Sequence, residues 1–439
     1  MNRRVVCFIL ISFILFQSMH VFSQGSWNKM NTSCSKALWS VCFTDSAYGW
    51  AAGDDGSIIH TADGGKTWVK QESHTQNQIT SITFINRNLG WASSCNYSTV
   101  PAGTVLLKTT NGGTTWTSHA YAEKNVFISC VTFLDSLNGW IGGSPHVLSK
   151  TSDGGMTWQP AYVEPSPLSQ FPVLKIKFFN RTYGYACGGI FDVAGVIWRT
   201  TDGGNSWRAI DPACAPADEV LDLHISDSLK VIGVGGDPDY EFGVGMMRST
   251  GDDLNFIYRE QGFKGRANCI VFADENEAWC SLGERNMFLY SRDGGSSWSE
   301  MSTPSQTFVT SLSFPDSRHG YASGRKGEIL KYTQSSNGIQ PVGNGSTDDK
   351  LSLHEIYPNP IKISAEIRFH VPKSVENDVI RIRICDILGR EVASVINQAM
   401  SPGEHEVNFN PEGLPAGVYF CSLTAPSFPA STMRLVIGK

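Results

Sequence analysis

Short stretches of alternating apolar and polar residues, separated by turn residues, recur at nearly constant intervals along most of this chain. In one interval they predict four strands, at Ser81–Phe84, Gly90–Ala92, Val105–Leu107 and Thr115–Thr117. An aromatic residue, replaced once by isoleucine, marks the second strand, at Trp50, Trp91, Trp140, Tyr185, Ile232, Trp279 and Tyr321. Spacings of 41, 49, 45, 47, 47 and 42 residues are typical of four-stranded blades. The pattern therefore predicts an all-β fold with a seven-bladed β-propeller.

An eight-residue motif, Thr/Ser-x-Asp/Asn-Gly-Gly-x-Thr/Ser-Trp, follows the third predicted strand of most intervals. Copies occupy 61–68, 109–116, 151–158, 200–207 and 291–298, and a degenerate copy occupies 249–256. Asp accepts backbone hydrogen bonds, glycine permits positive φ and Trp packs into the blade, so the motif predicts a hairpin between the third and fourth strands. The residues given this structural role are Asp63, Trp68, Asn111, Trp116, Asp153, Trp158, Asp202, Trp207, Asp293 and Trp298. Because copies spread around a ring cannot converge on one substrate, we do not interpret them as catalytic.

The seventh interval and the N-terminal region are incomplete in complementary ways. Glu328–Thr333 supplies a third strand, but neither the motif nor a Trp strand follows it. Ser26–Met30 resembles the fourth strand of the first interval, Thr67–Gln71. We therefore predict that this N-terminal strand closes the ring as the fourth strand of the seventh blade, with Trp27 packed inside.

The first residues have the features of a signal peptide. Arg3 and Arg4 precede the apolar run Val5–Phe16, and small residues offer a cleavage point before Gln24, so residues 1–23 are predicted to be removed. The run is shorter than the ~20 residues that a spanning helix needs, and no transmembrane span is expected in the mature form. The scatter of the 11 cysteines favours mostly buried thiols over a disulfide framework.

A second domain is predicted after residue 350. The polar, Gly- and Ser-rich segment 335–350 interrupts the repeat and indicates a flexible linker between a propeller at 24–334 and a domain at 351–439. Four stretches of that domain alternate with a period of two, which predicts an antiparallel, immunoglobulin-like β-sandwich. They are Glu366–Val371, Val379–Ile384, His405–Phe409 and Gly417–Leu423.

Both parts resemble known families. The repeated motif resembles the Asp-box, or BNR, repeat, and residues 25–334 look like the propellers of plant and cyanobacterial photosystem II stability and assembly factors. Sialidases, xyloglucan-degrading enzymes and sortilin-like receptors carry the same box, so this resemblance implies fold rather than function. Tyr357–Pro360, Asp386–Val392, Leu414–Phe420 and Met433–Lys439 closely resemble the type A C-terminal sorting domain of the type IX secretion system. The matching sorting residues are Pro358, Asn359, Pro360, Gly389, Arg390, Glu391, Gly417, Tyr419 and Lys439.

The sorting-domain resemblance implies a bacterium of the Bacteroidota and export in two steps. The signal peptide would direct the chain to the periplasm, and the type IX machinery and its sortase would act as partners at the outer membrane. The mature protein would then be secreted or attached to the cell surface. An ordinary carbohydrate-binding or spacer sandwich is the alternative for this domain.

Charge and motif searches limit the chemistry. Lys+Arg 35 against Asp+Glu 41 give a formal net charge of -6, so nucleic acid is not an expected partner. His354-Glu355 lacks the second His of a zinc helix and no Cys-x-x-Cys pair exists, so neither a metal nor a cofactor is expected. The Phe/Tyr-Arg-Ile-Pro element that precedes the first box of sialidases is absent. A glycosidase of another family, which needs only two suitably spaced carboxylates, is an alternative that the sequence leaves open.

Unequal loops on one face supply candidate binding positions. Loops between second and third strands open on the same face as the connections between blades, and those at 93–103, 188–195 and 235–245 are the longer ones. The nominated residues are Tyr97, Phe191, Asp192, Asp237, Asp239, Tyr240 and Glu241, of which Asp237 and Asp239 could hold a cation. Ordinary solvated turns are the alternative. We predict a secreted or cell-surface, non-enzymatic propeller that binds or scaffolds a surface glycan or protein. A secreted glycoside hydrolase acting on a polysaccharide is the alternative function.

Overall fold

The protein is built of β-strands and turns. The structure, a computed structural model, describes residues 25–97, 102–210, 218–237, 243–249, 256–334, 351–357, 361, 364–372, 379–386, 390–426 and 428–438. Short 3₁₀ turns lie at Asp54–Gly56, Gly283–Arg285, Pro304–Gln306 and Arg325–Gly327. The chain separates into two compact units, Met1–Asn337 and Gly338–Lys439. Within the described ranges, no helix has the length and apolar character needed to cross a membrane.

The first unit contains strands β1 to β29 in its described residues. They are β1 (Ser26–Met30), β2 (Leu38–Phe43), β3 (Gly49–Gly53), β4 (Ile58–Thr61), β5 (Val69–Gln71), β6 (Gln78–Phe84), β7 (Gly90–Asn96), β8 (Gly103–Thr109), β9 (Thr117–Ala120), β10 (Phe127–Phe133), β11 (Gly139–Ser144), β12 (Val147–Thr151), β13 (Gln159–Pro160), β14 (Tyr162–Val163) and β15 (Val173–Phe178). They continue as β16 (Gly184–Ile190), β17 (Ala194–Thr200), β18 (Ser206–Ile210), β19 (Val220–Asp227), β20 (Lys230–Gly235), β21 (Gly243–Ser249), β22 (Phe256–Lys264), β23 (Cys269–Phe272), β24 (Ala278–Leu282), β25 (Met287–Ser291), β26 (Ser299–Ser302), β27 (Val309–Asp316), β28 (His319–Gly324) and β29 (Ile329–Thr333).

These strands form seven sheets within the described residues, numbered here in chain order. Sheets 1, 2, 3, 5 and 6 have the orders β2-β3-β4-β5, β6-β7-β8-β9, β10-β11-β12-β13, β19-β20-β21-β22 and β23-β24-β25-β26. Sheet 4, β14-β18-β17-β16-β15, has a fifth strand because β14 pairs parallel to β18, and sheet 7 has the order β1-β29-β28-β27. The first strand of each sheet contacts that of the next, and β27 contacts β2. The seven sheets therefore form a closed ring, with these first strands at its inner edge.

Among the described residues, four interfaces between neighbouring sheets contain stacked or tilted aromatic side chains, called here the inter-sheet aromatic pairs. The aromatic residue of a second strand lies on the phenylalanine of the first strand of the next sheet. The ring centroids are 3.6 Å apart in Trp50–Phe84 and Trp91–Phe133, 4.1 Å in Trp140–Phe178 and 3.4 Å in Tyr321–Phe43. Such a pair contributes about 0.5–1.5 kcal/mol beyond the burial of its area.

The glycine before the second-strand aromatic residue is required by the same packing. The ring of Phe84 lies over Gly90, and that of Phe133 lies over Gly139, so a Cβ atom at either glycine would collide with the ring. The repeated Gly-Trp dipeptide thus places the smallest residue under one ring and a large aromatic against the next sheet.

The Asp-box motif forms the turn before the fourth strand. In sheet 1 the Thr67 backbone N–H and hydroxyl donate to the Asp63 carboxylate at 2.9 and 2.6 Å, and the Thr61 hydroxyl donates to it at 2.9 Å. Gly64 and Gly65 have φ values of 70° and 83°, which glycine adopts without strain. The hydrogen bonds from Thr67, its hydroxyl first, lower the pKa of Asp63 to about 2. The carboxylate is therefore occupied by its own turn.

The other copies repeat this turn. Asp153, Asp202 and Asp293 accept the same hydroxyl bonds, from the residue four positions later, at 2.5 to 2.6 Å. Asn111 accepts from the Thr115 backbone N–H at 2.9 Å and donates from Nδ2 to its hydroxyl at 2.9 Å. The motif tryptophans pack edge-to-face on the first-strand phenylalanine of their own sheet in Phe43–Trp68, Phe84–Trp116, Phe133–Trp158 and Phe178–Trp207, and Trp298 is also buried.

The N-terminal strand completes sheet 7. β1 pairs antiparallel with β29, and Trp27 lies opposite Tyr332. Trp27 is 7% exposed and meets Phe314 edge-to-face, with centroids 5.8 Å apart at 81°. The Phe43–Trp68 pair of sheet 1 has 6.0 Å and 83°. Trp27 therefore occupies in sheet 7 the place that the motif tryptophans hold in other sheets.

The second unit contains two antiparallel sheets in its described residues. Its strands are β30 (Ser352–Tyr357), β31 (Ala365–Val371), β32 (Val379–Cys385), β33 (Glu391–Ala399), β34 (Gly403–Phe409), β35 (Gly417–Ala425) and β36 (Phe428–Ile437). The sheet orders are β30-β31-β34 and β33-β32-β35-β36. Buried residues of both sheets, such as Phe369 and Leu423, belong to one hydrophobic core. Strands β30, β33 and β36 are additional to the four stretches of the sequence analysis. In β33 only Ile396 is fully buried, so its apolar alternation is weak.

Replacing Trp27 by alanine tests how much this closing strand contributes to stability. Because the indole is packed as a core aromatic, we expect Trp27→Ala to lower the free energy of unfolding by about 3–5 kcal/mol in urea denaturation. Tyr162→Ala is the matched control, because Tyr162 is an outer-strand aromatic that is 61% exposed, and it should cost within about 0.5 kcal/mol. Equal effects of the two substitutions would contradict the closing role.

Substitutions at Asp63 test the self-contained Asp-box turn. Asp63→Ala removes the acceptor of the turn and should cost about 1–2 kcal/mol at pH 7. The free energy of unfolding of Asp63→Asn should stay within about 0.5 kcal/mol of that of the parent protein, because Asn111 accepts the equivalent backbone hydrogen bond in the turn of sheet 2.

The pH dependence of the same variants provides a second readout. The folded pKa of Asp63, about 2, lies below its ordinary value of 3.8, so its stabilising contribution is present above pH 4 and is lost as the pH falls toward 2. Denaturation midpoints at pH 7, 4 and 3 should therefore show the parent protein losing its advantage over Asp63→Ala on acidification. A difference between them that does not change with pH would contradict the assignment.

Candidate functional site

The nominated loop residues lie in different sheets. Tyr97 follows β7 of sheet 2, is 55% exposed, and stacks on Phe127 with ring centroids 4.7 Å apart. Phe191 and Asp192 form the turn between β16 and β17 of sheet 4, where the Asp192 backbone N–H donates to the Asp218 carboxylate at 3.1 Å. No hydrogen bond or ring contact between described residues joins Tyr97 to Phe191. The structure therefore does not bring these two positions into one contact site.

The loop of sheet 5 differs from the sequence expectation. Asp237, nominated as a loop residue, is buried and only 4% exposed just after β20. Asp239, Tyr240 and Glu241 lie outside the described residues. In the described part of the chain, no group of three or more His, Cys, Asp and Glu side chains is arranged to hold a metal ion.

A buried carboxylate joins two sheets at the inner edge of the ring. Asp222, on β19, accepts the backbone N–H of Ile270 in the next sheet at 3.0 Å and pairs with the Lys177 ammonium at 2.8 Å. At the equivalent position of sheet 1, the Ser40 hydroxyl accepts the N–H of Ile82 at 3.2 Å. Asp222 thus replaces a serine that links sheets, and its charge is neutralised by a neighbouring lysine.

The cysteines provide no activated nucleophile in the described residues. All nine described cysteines are free thiols. Burial raises the pKa of Cys130 and of Cys269 to about 12, so both are protonated at neutral pH. A buried, protonated thiol is a packing residue rather than a nucleophile.

A cleft of about 680 Å³ opens between sheets 5 and 6, on the face that carries the Asp-box turns. It is lined by Asp227 and Asp274 from first hairpins, by Gly294 from the box of sheet 6 and by Arg248 from β21. Among the nominated loop residues that the structure describes, none lines this cleft. Loop length in the sequence does not indicate this cleft, but the repeat carries a signal for it, because Ile232 stands where other units have an aromatic residue.

The wall of this cleft contains two stacked rings. The His224 imidazole lies on Phe272, with ring centroids 4.0 Å apart at 17°. Burial, followed by the nearby Lys177, lowers the pKa of His224 to about 4. His224 is therefore neutral at physiological pH and presents an uncharged aromatic surface.

Part of the sorting motif lies in the described residues of the second unit. The Arg390 Nε donates to the Asp386 carboxylate at 2.7 Å, Glu391 and Gly417 begin β33 and β35, and the hydroxyl of the buried Tyr419 donates to the Pro415 carbonyl at 2.9 Å. The sorting residues outside the described ranges are Pro358, Asn359, Pro360, Gly389 and Lys439. The described motif residues thus stabilise a turn and the start of a strand.

Two family models match this chain. The model described as photosynthesis system II assembly factor YCF48 matches residues 19–124 and 72–215, within the first unit. The model described as secretion system C-terminal sorting domain matches residues 355–438, in the second unit.

Individual proteins give the same picture. The photosystem II assembly lipoprotein Ycf48 of Synechococcus is 25% identical over 172 residues, which is 38% of this chain and 47% of that protein, so the alignment spans about half of its length. A solved structure of YCF48 bound to a D1 peptide has a TM-score of 0.56 at 18% identity, covering 70% of this chain and 97% of the other. A GH74 xyloglucanase from Xanthomonas campestris has a TM-score of 0.55 at 12% identity, covering 94% and 81%.

At these identities the structural neighbours show the propeller fold alone, whereas the two family models match residues 19–215 and 355–438. The repeats, the ring of sheets and the C-terminal match agree with one another. This chain therefore carries a propeller domain of the photosystem II assembly factor Ycf48 type, followed by a type IX secretion system C-terminal sorting domain.

Proposed function

We propose that this protein is a secreted or cell-surface binding scaffold, built as a seven-bladed β-propeller and exported through an immunoglobulin-like C-terminal domain. The observation that carries the export part is the sorting-domain match over residues 355–438, which implies export to the outer membrane or cell surface. Removal of residues 1–23 as a signal peptide and a flexible linker at 335–350 belong to the same proposal. Both segments lie outside the described residues.

The geometry of the repeated carboxylates supports binding rather than catalysis. Asp63, Asp153, Asp202 and Asp293 each accept hydrogen bonds from their own turn, and Asp222 is held between two sheets. A general acid or base has to be free to exchange a proton with substrate. A rigid ring whose repeated Asp-box carboxylates are committed to structure is suited to presenting surfaces to a partner. The peptide bound to the YCF48 structure supports this use of the fold.

A secreted glycoside hydrolase is the second candidate. The observation that favours it is the fold shared with the GH74 xyloglucanase. The shared fold does not supply the two carboxylates that flank a scissile glycosidic bond.

Deleting the C-terminal domain tests the export proposal. We expect a chain that lacks residues 351–439 to keep its propeller folded but to remain in the periplasm, because each unit has its own hydrophobic core. Cell fractionation reads out location, and resistance to limited proteolysis reads out folding. The full-length chain, carrying the same epitope tag within 335–350, is the control. Normal surface levels of the folded, truncated chain would contradict this proposal.

A substrate screen separates the two candidate functions. The purified protein should show no turnover of xyloglucan, other β-glucans or sialosides above the rate of a heat-denatured sample. It should instead retain ligands on a glycan or surface-protein array. Robust turnover that one or two carboxylate substitutions abolish would establish the hydrolase and overturn the binding proposal.

A further inference from the structure

The interface between sheets 5 and 6 has no aromatic side chain from a second strand, and His224 of the first strand β19 stacks on Phe272 there instead. Trp50 and Trp91 each contribute an indole to the inter-sheet aromatic pairs, and Tyr321 contributes a phenol. The second strand of sheet 5 has Ile232 at this position, and the cleft of about 680 Å³ lies beside it. The cleft thus lies beside the position at which the repeat places a large ring in several other interfaces.

The missing ring is also a missing hydrogen-bond donor. The indole N–H groups of Trp50 and Trp91 donate at 3.0 Å to the first box glycine of the next sheet, Gly112 and Gly154. Tyr321 donates its hydroxyl to the carbonyls of Gly64, at 3.4 Å, and Ser46, at 2.7 Å. These carbonyls therefore accept from an aromatic donor in several interfaces.

The cleft presents the corresponding box acceptor. Gly294 is the first box glycine of sheet 6, and it lines the cleft. Ile232 has no polar hydrogen to donate, and no side chain of the described part of sheet 5 donates to the Gly294 carbonyl. A ligand that enters the cleft can supply this hydrogen bond.

The cleft is also lined by a cationic side chain, that of Arg248. Arg248 lies opposite Ile232 in the β20–β21 register, as Lys331 lies opposite Tyr321 and Lys108 opposite Trp91. Those two ammonium groups are 5.5 and 5.7 Å from the ring centroids of Tyr321 and Trp91, a cation–π arrangement. Arg248 interacts electrostatically with the Asp293 carboxylate of sheet 6, and the side chain opposite Arg248 in the register is aliphatic.

We propose that the cleft binds an aromatic side chain with a hydrogen-bond donor, tryptophan or tyrosine, from a partner polypeptide. The ring lies against Arg248 and the His224–Phe272 wall, and its N–H or O–H donates to the Gly294 carbonyl. The ligand thereby supplies from outside what Trp50 or Tyr321 supplies within the chain. This inference rests on the proposed binding role and names one site and one ligand class for it.

Binding of three amides to the full-length protein tests the ligand class. N-acetyl-tryptophanamide and N-acetyl-tyrosinamide should bind in calorimetry or saturation-transfer NMR, and N-acetyl-phenylalaninamide, which lacks the donor, should bind roughly fivefold or more weakly. The pentapeptide Ala-Ala-Trp-Ala-Ala should bind at least as tightly as the tryptophan amide. Equal affinity for all three amides, or no binding of any, would overturn the proposal. A pentapeptide that fails where the amide binds would overturn the polypeptide partner.

Filling the cleft from within tests its location. Ile232→Trp restores the residue type found at Trp50 and should weaken amide binding at least about tenfold without lowering the thermal midpoint. Val69→Trp is the matched control, because it adds an indole at a 63% exposed position of sheet 1 and should leave binding unchanged. Arg248→Gln serves if Ile232→Trp does not fold, and should weaken binding roughly threefold or more. Unchanged affinity in the folded variants would overturn the site.

The failure of this inference differs from the failure of the proposed function. If the protein binds ligands on the array but binds none of the three amides, the cleft proposal is wrong and the proposed binding role is unaffected. Polysaccharide turnover in the substrate screen would reject the binding role itself.

Discussion

Stacking of a second-strand aromatic residue on the phenylalanine of the next sheet is the interaction on which the rest of the ring depends. A single four-stranded sheet cannot bury both faces by itself, so its stability comes from its neighbours. The pairs Trp50–Phe84, Trp91–Phe133 and Tyr321–Phe43 supply that burial at successive interfaces and across the closure. The glycine before each of these aromatic residues follows from the same packing.

Closure imposes a second constraint on the same contacts. An open array would leave a sheet edge and an aromatic face exposed at each end, which favours association with other chains. The N-terminal strand prevents this by supplying the fourth strand of sheet 7, with Trp27 in the position of a motif tryptophan. The covalent ends of the repeat array are thereby held in one sheet.

The Asp-box turns and the proposed binding cleft have different physical requirements. The turns are local, because Asp63 is bonded within its own motif, and the same bonds recur at Asp153, Asp202 and Asp293. The proposed binding surface lies where the repeat is broken. The interface of sheets 5 and 6 is such a place, because Ile232 and the His224–Phe272 pair replace the usual packing and leave a cleft.

The sequence by itself determined the strands of the repeat, the Asp-box turns and the sorting-domain identity, because these depend on neighbouring residues and short-range periodicity. It indicated the pairing of Ser26–Met30 with the last interval only through two complementary absences. Tertiary structure alone decided that Asp237 is buried, that β14 adds a parallel strand to sheet 4, and that a cleft lies beside Ile232. Burial and cavities depend on which side chains meet across sheets far apart in the chain, and a local pattern does not specify how completely those side chains fill the space between them.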